Sequence, residues 1–352
     1  MEKEMKIVHV LNSNKFSGAE KVVIQMIHYL CQQNIDVYYV SLKGPIEKYL
    51  KKKQIKYYLI DKMNRKNIKR MTEILKPDII HAHDYTASII CAFSVKQPII
   101  SHLHNNSPWI KKAGLYSWVY AISSFRYQKI LLVSSVILKE YVFSKWIAKK
   151  CKVIGNPIEI GEIIEKSKEN IEESYDISFM GRLSIPKNPI LLLEVLYELK
   201  KYFPELRVCI IGDGELREQV KDKCRELDLE KNITWTGFLE NPFPYIRKSK
   251  IFLLPSLWEG YGLAAVEALA LGKPVVCCKV GGLNDIVDKR CGFLCRDKKE
   301  LVLSCKKLLK DKKLYEKMES GALERAKELN NIGTYINMMK RIYKEINIPN
   351  KK

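Results

Sequence analysis

The sequence predicts an α/β protein made of two doubly wound domains, each a parallel sheet with helices on both faces. Short apolar runs alternate with stretches of helical periodicity, and this alternation lapses once near Gly155 and then restarts. The length of 352 residues suits two domains of ordinary size. The apolar runs are continuous rather than interleaved with polar residues, which is typical of strands buried on both faces of a parallel sheet.

The first half begins with a strand over residues 5–11, which ends in the polar loop Asn12–Asn14. A helix follows, because apolar residues recur at three- and four-residue spacing from Val22 to Leu30. The later elements predicted in this half are strands at Val37–Leu42, Tyr57–Ile60, Asp78–His83, Pro98–His104 and Lys129–Ser135, and helices at Glu47–Gln54 and 64–75.

The second half repeats the pattern after a charged stretch. We assign residues 1–160 to an N-terminal domain, 161–175 to the connection and 176–332 to a C-terminal domain, with a last helix at 333–346. The other predicted elements are strands at Ile177–Met180, Arg207–Ile211, Ile233–Thr236, Ile251–Pro255 and Val275–Cys278, and helices at Asn188–Tyr202, Glu215–Leu227, 262–271, 298–310 and 312–329.

The charge is strongly basic and unevenly distributed. The chain has 61 Lys and Arg against 40 Asp and Glu, and residues 1–160 alone contain 26 basic and 11 acidic side chains. Such an excess suits an acidic ligand, an anionic membrane or a nucleic acid; the alternative is a lysine-rich composition without functional meaning. Lys far outnumbers Arg, and no helix-turn-helix or aromatic–basic motif occurs, so nucleic-acid binding is the least favoured function.

The sequence also predicts where the protein resides. Its apolar runs are much shorter than the roughly 18 residues that a membrane-spanning helix needs. The start Met1–Glu4 contains acids where a signal peptide needs basic residues. The ten cysteines show no disulfide-like or zinc-like spacing. We therefore expect a cytoplasmic protein with reduced thiols.

In doubly wound sheets, ligands bind at the carboxyl ends of the strands, so the polar strand ends are the candidate sites. Gly181, Arg182 and Lys187 follow the strand at 177–180. The two cations could hold a diphosphate, helped by the amino end of the next helix; the alternative is a pair of solvated side chains. Gly212 lies in a Gly-Asp-Gly turn after the next strand, where a structural and a functional role are equally compatible with the sequence.

A third strand end has two acids around a Gly-x-Gly turn. Glu259 precedes Gly260 and Gly262, and Glu267 lies in the helix that follows. Glu267 could accept hydrogen bonds from a ribose diol and Glu259 from sugar hydroxyls, while the free amides of the turn could meet an anion. The alternative is that an acid near a helix amino end only stabilises the helix dipole.

Five histidines, His9, His81, His83, His102 and His104, lie in predicted strands or at their ends. Each by itself is more typical of a packed histidine than of a catalyst, but positions 81, 83 and 104 at strand ends favour exposure. No His-x₃-His pair and no Asp-x-Asp motif occurs, so we expect no metal site.

Taken in order, these stretches resemble the family 4 retaining glycosyltransferases (glycosyl transferases group 1), of the type that builds bacterial surface polysaccharides. The matching segments are Ser17–Glu20, His81–His83, Ser101–Asn105, Val133–Ser134, Gly155–Ile158, Gly181–Leu183, Lys187–Asn188, Gly212–Gly214, Thr236–Phe238, Glu259–Gly262, Glu267–Ala268, Gly272–Val276 and Gly281–Gly282. The first loop differs, since it reads Phe16-Ser17-Gly18 where the family usually has two glycines.

The resemblance implies a GT-B fold, in which two Rossmann-like domains face each other across a cleft and the last helix crosses back to the first domain. It implies a nucleotide-sugar donor, UDP- or GDP-linked, bound by the second domain without a metal or another cofactor. The catalytic residues would be Glu259, His104, Arg182 and Lys187. The donor-binding residues would be Gly181, Arg182, Lys187, Gly212, Gly260, Tyr261, Gly262, Leu263 and Glu267. Ser17 and Gly18 would form the acceptor-side loop.

We expect the acceptor to be a glycan or a polyprenyl-linked sugar in capsule, exopolysaccharide or other surface-polysaccharide synthesis. The segments Trp109–Trp118 and Lys139–Lys150 mix aromatic residues and lysines, as interfacial surfaces do. They predict peripheral binding to the inner face of an anionic membrane; the alternative is core aromatics beside solvated lysines. Two other functions remain open: a GT-B-like sugar-nucleotide epimerase or hydrolase, and a non-catalytic sugar-nucleotide-binding protein.

Overall fold

A computed structural model describes residues 5–33 and 35–347, so the expectation about Met1–Glu4 lies outside the described residues. The chain divides into two compact units. The first comprises residues up to Pro157 and from Asn331 onward, and the second comprises Ile158–Asn330. Residues 161–175, which we expected to connect the domains, lie in the second unit.

The first unit is built on a seven-stranded sheet. Its strands are β1 (Lys6–Val10), β2 (Asp36–Leu42), β3 (Tyr57–Ile60), β4 (Ile79–Ala82), β5 (Ile99–Leu103), β6 (Tyr127–Leu132) and β7 (Cys151–Val153). They are all parallel, in the order β3-β2-β1-β4-β5-β6-β7. Every residue of β4 and β5 is buried, as the continuous apolar runs predict. The edge strand β7 was not predicted, because its three residues are mostly exposed and form no apolar run.

Helices cover the sheet of the first unit. They are α1 (Gly18–Cys31), α2 (Ile46–Lys52), α3 (Arg65–Leu75), α4 (Tyr85–Ser94), α5 (Leu115–Ser123), α6 (Ser135–Glu140) and α7 (Ser144–Ile147). The carboxylate of Asp84 caps α4 by accepting a hydrogen bond from the Ala87 amide at 2.7 Å, and it also accepts one from the Asn12 amide at 2.7 Å. Asp84 therefore ties the loop after β1 to the loop after β4.

The second unit contains a six-stranded parallel sheet. Its strands are β8 (Tyr175–Met180), β9 (Val208–Ile211), β10 (Ile233–Gly237), β11 (Ser249–Leu254), β12 (Val275–Cys278) and β13 (Gly292–Cys295). Their order is β10-β9-β8-β11-β12-β13. The helices are α8 (Ile160–Lys166), α9 (Pro189–Lys200), α10 (Arg217–Glu226), α11 (Phe243–Arg247), α12 (Leu263–Ala270), α13 (Leu283–Ile286), α14 (Lys298–Lys310) and α15 (Lys312–Leu329). The edge strand β13 and the helices α8, α11 and α13 were not predicted.

The last helix, α16 (Ile332–Asn347), belongs to the first unit and packs against α1 and β4. Tyr335, Ile336, Met339 and Ile342 recur at helical spacing and are buried in the same apolar core as α1. One turn from its end, the hydroxyl of Tyr343 lies 2.7 Å from Nδ1 of His81 in β4. The carboxyl end of α16 therefore closes over the end of β4.

Candidate functional site

Both sheets have a point at which the chain changes direction across the sheet. In the second unit, β8 lies between β9 and β11, so the connections after β8 and β11 run to opposite sides. In the first unit, β1 and β4 are the corresponding neighbours. Open α/β sheets bind ligands outside the carboxyl ends of the strands at such switch points. The strand order therefore singles out the loops after β8 and β11, and those after β1 and β4.

The loop after β8 contains three predicted site residues. Gly181 follows the strand directly, Arg182 is exposed, and Lys187 is half-buried at the end of a short 3-10 turn. Asn188 adopts a left-handed conformation with φ of 50° and Pro189 opens α9. Among the described residues, no carboxylate forms an ion pair with the Arg182 guanidinium, so this cation is available to a ligand.

The loop after β11 meets the loop after β8 directly. Glu259 is buried, forms an ion pair with the ammonium of Lys187 and accepts a hydrogen bond from the Ser256 hydroxyl at 2.8 Å. The backbone adds a link, since the Leu257 amide donates to the Pro186 carbonyl at 2.8 Å. Two residues proposed from separate motifs, Lys187 and Glu259, are therefore in contact at the switch point.

Glycines allow the neighbouring loops to approach at backbone distance. A Cβ at Gly212, where φ is +131°, would lie 2.1 Å from the carbonyl oxygen of Gly181. A Cβ at Gly281, where φ is +50°, would lie 1.9 Å from the carbonyl oxygen of Glu259. No side chain fits at either contact. The Gly-Asp-Gly turn after β9 and the Gly-Gly turn after β12 thus have a structural role: each holds a site loop in position.

Helix α12 begins directly after the loop that follows β11. Gly262, with φ of +101°, precedes its first residue, Leu263, and the loop residues Gly260 and Tyr261 lead into it. Glu267 lies about one turn after the first residue of the helix and is 7% exposed. The amino end of α12 lies at the carboxyl edge of the sheet. The first backbone amides of a helix have no partner within the helix, and such amides attract an anion.

The predicted acceptor-side loop lies after β1 in the first unit. Gly18 is the first residue of α1, and Ser17 precedes it in an extended conformation. The Ser17 hydroxyl donates to the carboxylate of Glu20, which is buried in the first turn of the helix. The loop is therefore held by its own helix, and Gly18 is exposed.

Five of the six histidines of the chain lie together at the carboxyl ends of β1, β4 and β5. They are His9, His81, His83, His102 and His104, called the histidine cluster below. Their neighbouring ring centroids are 4.1–5.3 Å apart. The exposure expected of His81 and His83 was wrong, because adjacent strands and α16 bury both, and only His104 is half-exposed.

Hydrogen bonds connect part of the histidine cluster. Nε2 of His83 lies 2.8 Å from Nδ1 of His9, and Nδ1 of His83 lies 3.0 Å from Nε2 of His104. Burial lowers the pKa of His9 and His104 to about 3, and lowers the pKa of the other three rings well below 6.5. The rings are therefore neutral at pH 7, and His83, with a single N–H, donates one of its hydrogen bonds and accepts the other.

The sequence singled out these histidines but did not predict that their rings lie together. The available signal was the i, i+2 spacing of His81 with His83 and of His102 with His104, which places each pair on one face of a strand. In the register, His9 lies opposite His81. Among the described residues, the groups of three His, Cys, Asp or Glu side chains close enough to share a metal ion are two histidine triads in this cluster.

A patch of apolar side chains is exposed on the first unit. It consists of Leu115, Tyr116, Trp118, Ile122, Phe125 and Trp146, here called the aromatic surface, which are 41–76% exposed. Residues 115, 118 and 122 share one face of α5. Trp109, also expected in this surface, instead packs edge-on against Tyr85 at 4.6 Å and is half-buried.

Basic residues are frequent in the segment that contains the aromatic surface. Residues 111–150 contain eight Lys and Arg but a single acid, Glu140, which pairs with Lys111 at 2.9 Å. Lys112, Lys139, Lys145 and Lys149 are exposed. Nowhere within residues 5–33 and 35–347 does a helix have both the length and the apolar character needed to cross a membrane.

Comparisons with protein families cover nearly the whole chain. A family model described as "Glycosyltransferase Family 4" matches residues 16–162, and one described as "Glycosyl transferases group 1" matches residues 161–325.

Curated relatives include proteins from Campylobacter jejuni and Escherichia coli. One, from Campylobacter jejuni, is named N-acetylgalactosamine-N,N'-diacetylbacillosaminyl-diphospho-undecaprenol 4-alpha-N-acetylgalactosaminyltransferase; it is 29% identical over 67% of this chain and 64% of its own length. Another, from Escherichia coli, is named UDP-Gal:alpha-D-GlcNAc-diphosphoundecaprenol alpha-1,3-galactosyltransferase; it is 26% identical over 83% of this chain and 84% of its own. The chain thus spans less than two thirds of the length of some of its first relatives, 61% and 64% in two cases.

A solved structure has the same fold. The HepE protein of Anabaena, in complex with UDP-glucose, superposes with a TM-score of 0.84 at 20% identity, covering 97% of this chain and all of the other.

Proposed function

Because this chain belongs to the group 1, family 4 glycosyltransferases, we propose that it transfers a hexose from a UDP-sugar to a sugar linked to a polyprenyl diphosphate, in the synthesis of a bacterial surface polysaccharide such as a capsule or an exopolysaccharide. The GT-B fold expected from the sequence is confirmed by the two parallel-sheet Rossmann-like domains and by the structural neighbours. The named Escherichia coli and Campylobacter relatives act on undecaprenol-linked sugars, and the former uses UDP-galactose, which supports this donor and acceptor class.

One observation carries the donor site: the loops after β8 and β11 meet at the switch point through Lys187 and Glu259. The exposed guanidinium of Arg182 belongs to the same loop as Lys187, and α12 starts from the other loop. When the bond between the sugar and the diphosphate breaks, negative charge develops on the diphosphate. Two cations and the amides of a helix amino end are the groups that stabilise such charge.

From the ion pair between Lys187 and Glu259 we also infer how the donor binds. Without a ligand the carboxylate neutralises the ammonium. A diphosphate offers more negative charge and more oxygens, so it takes Lys187 from Glu259. Glu259 is then free to accept hydrogen bonds from the hydroxyls of the transferred sugar, with the amides of Gly260–Leu263 beside it. Glu267, buried on α12, holds the ribose.

The remaining assignments follow from the family. The glycosidic bond forms with retention of the anomeric configuration, and His104 contacts the hydroxyls of the transferred sugar. Ser17 and Gly18 contribute to the acceptor side. Because Arg182 and Lys187 supply the positive charge that a metal provides in other transferases, the reaction needs no metal ion.

The transfer is tested with untagged protein, a panel of UDP- and GDP-sugars, and a synthetic polyprenyl-diphosphate-linked sugar, in buffer with EDTA. We expect one donor to yield an extended lipid-linked product of unchanged anomeric configuration by NMR, and that donor to remain largely intact without acceptor. Consumption of the donor in the absence of any acceptor would instead identify an epimerase or hydrolase. Thermal stabilisation by a nucleotide-sugar, without turnover on any acceptor, would indicate a binding protein.

The aromatic surface supports peripheral binding to the inner face of the cytoplasmic membrane. Exposed Leu, Phe, Tyr and Trp side chains can enter the headgroup region, and four exposed lysines flank them. Each lysine near an anionic leaflet contributes about 1 kcal/mol. A lipid-linked acceptor is itself confined to the membrane, so such docking brings the enzyme to it.

Vesicle co-sedimentation tests the membrane surface. We expect the protein to pellet with phosphatidylglycerol vesicles but not with phosphatidylcholine vesicles. The double variant Leu115→Ser/Phe125→Ser should bind the former about 10-fold more weakly, since it loses two exposed apolar side chains that would insert into the membrane. Leu303→Ser/Leu323→Ser, which alters two exposed leucines of the second unit, is the matched control. Equal binding of both double variants would refute the assignment of the surface.

A further inference from the structure

The histidine cluster contains more imidazoles than the proposed transfer uses. Only His104 has a role there, yet four further histidines are buried beside it. We propose that His83, His102 and His104 form a binding site for one first-row transition-metal ion such as Zn²⁺. The ligand nitrogens of this triad lie within 4.8 Å of one another.

The spacing of two ligands is already close to that of a zinc site. Nδ1 of His83 and Nε2 of His104 are 3.0 Å apart. With Zn–N bonds of 2.0–2.1 Å in tetrahedral geometry, two ligand nitrogens lie roughly 3.3 Å apart. A shift of a few tenths of an ångström therefore makes room for a metal ion, once the proton between these two rings has moved to the other nitrogen of the His83 ring.

His102 provides the third ligand. It is fully buried, and neither of its ring nitrogens has a hydrogen-bond partner among the described residues. Its ring centroid lies 4.1 Å from that of His104 and 5.2 Å from that of His83. Buried polar nitrogens are normally paired, so an unpartnered imidazole beside two others indicates a missing ligand.

A second hydrogen bond orients the site. When Nδ1 of His83 binds the ion, the single proton of this ring resides on Nε2 and is donated to Nδ1 of His9, 2.8 Å away. A metal-bound histidine almost always donates its other N–H in this manner. All three ligands bind as neutral imidazoles, His104 keeping its proton on Nδ1, so no proton is released.

The donor set and its access define the ligand. Three imidazole nitrogens with no carboxylate in the triad favour Zn²⁺, Co²⁺, Ni²⁺ or Cu²⁺ over Mg²⁺ or Ca²⁺. The triad of His9, His81 and His83 shares His83 and is fully buried, whereas His104 is half-exposed and gives an ion a route from solvent. The fourth coordination position remains for water or another small ligand.

The consequence for catalysis rests on the proposed function. If His104 contacts the transferred sugar, an ion bound to it blocks that contact, and micromolar Zn²⁺ inhibits the transfer. The ion bound in the first unit therefore inhibits the transfer and is not a cofactor of it.

Binding is measured without reference to activity, on untagged, EDTA-treated full-length protein. Calorimetric titration with Zn²⁺ is expected to give one ion per chain, and Co²⁺ is expected to give the visible absorption of a tetrahedral site. His102→Asn should weaken Zn²⁺ binding at least 10-fold, a typical effect of perturbing a metal site. His28→Asn, which alters the exposed histidine outside the cluster, should bind as the wild type does.

A second measurement needs no variant and covers the case that His102→Asn fails to fold. In the ¹⁵N-histidine spectrum of the wild type, Zn²⁺ should shift the ring signals of His83, His102 and His104 and leave His28 unchanged. Absence of saturable 1:1 binding, or shifts confined to His28, would overturn the site. Zn²⁺ binding in a protein without transferase activity would leave the site standing and refute only the proposed function.

Discussion

The carboxyl edges of the two sheets have the same strand order at the switch point but carry different side chains, charged in the second unit and neutral in the first. In each sheet the first strand lies at the switch point, beside β4 in the first unit and beside β11 in the second. The second unit lines this point with glycine turns, an exposed arginine and the pair of Lys187 and Glu259. The first unit fills it with five neutral imidazoles. One backbone plan thus places two cations and glycine turns at the switch point of one unit and a neutral polar cluster at that of the other.

The two units also show that the net charge of a domain does not predict where its cations lie. Of the 26 Lys and Arg in residues 1–160, eight lie in residues 111–150, the segment that contains the aromatic surface, whereas the switch point of this unit is lined by neutral histidines. The second half is closer to neutral, yet Arg182 and Lys187, the two cations of the proposed donor site, lie at its switch point. For a binding site, the position of two cations matters more than the net charge of the domain.

The largest expected effect is on turnover. Lys187→Ala and Glu267→Gln should each lower kcat at least 10²-fold, because each removes a preorganised contact that we propose for the donor. Initial rates at saturating donor and acceptor measure this. Lys201→Ala is the control. The ammonium of Lys201 pairs with Glu198 on the surface at the carboxyl end of α9, away from the carboxyl ends of the strands.

Wild-type rates in Lys187→Ala or Glu267→Gln would show that the second unit's edge is not the donor site. An equal loss in Lys201→Ala would indicate a nonspecific effect of removing a lysine. Either result would break the contrast between the two sheet edges.

A smaller effect concerns stability and tests the glycine contacts. Gly281→Ala should lower the stability of the second unit by about 2–4 kcal/mol, because the new Cβ collides with the Glu259 carbonyl and φ is positive. Gly161→Ala, in α8, meets no atom within 4 Å and should be neutral or stabilising. Calorimetric melting of both variants measures the difference, and equal melting temperatures would contradict the close approach.

Much of the fold was predictable because its signals are local. The strands predicted at 177–180 and 275–278 were found as β8 and β12, since a buried strand requires a continuous apolar run. The edge strands β7 and β13 were missed because they are three and four residues long and only partly buried. Helix α8 was missed because its charged sequence resembles a linker.

The candidate site was predictable as separate motifs and not as an assembly. A glycine after a strand and an acid before a Gly-x-Gly turn can be read from short segments, so the sequence by itself determined the polar strand ends. The contact between Lys187 and Glu259 spans 72 residues, and the bond between His9 and His83 spans 74. These contacts depend on which strands are neighbours. Parallel neighbours are joined by crossovers, so local residue patterns do not specify their order, and the tertiary structure alone decided it.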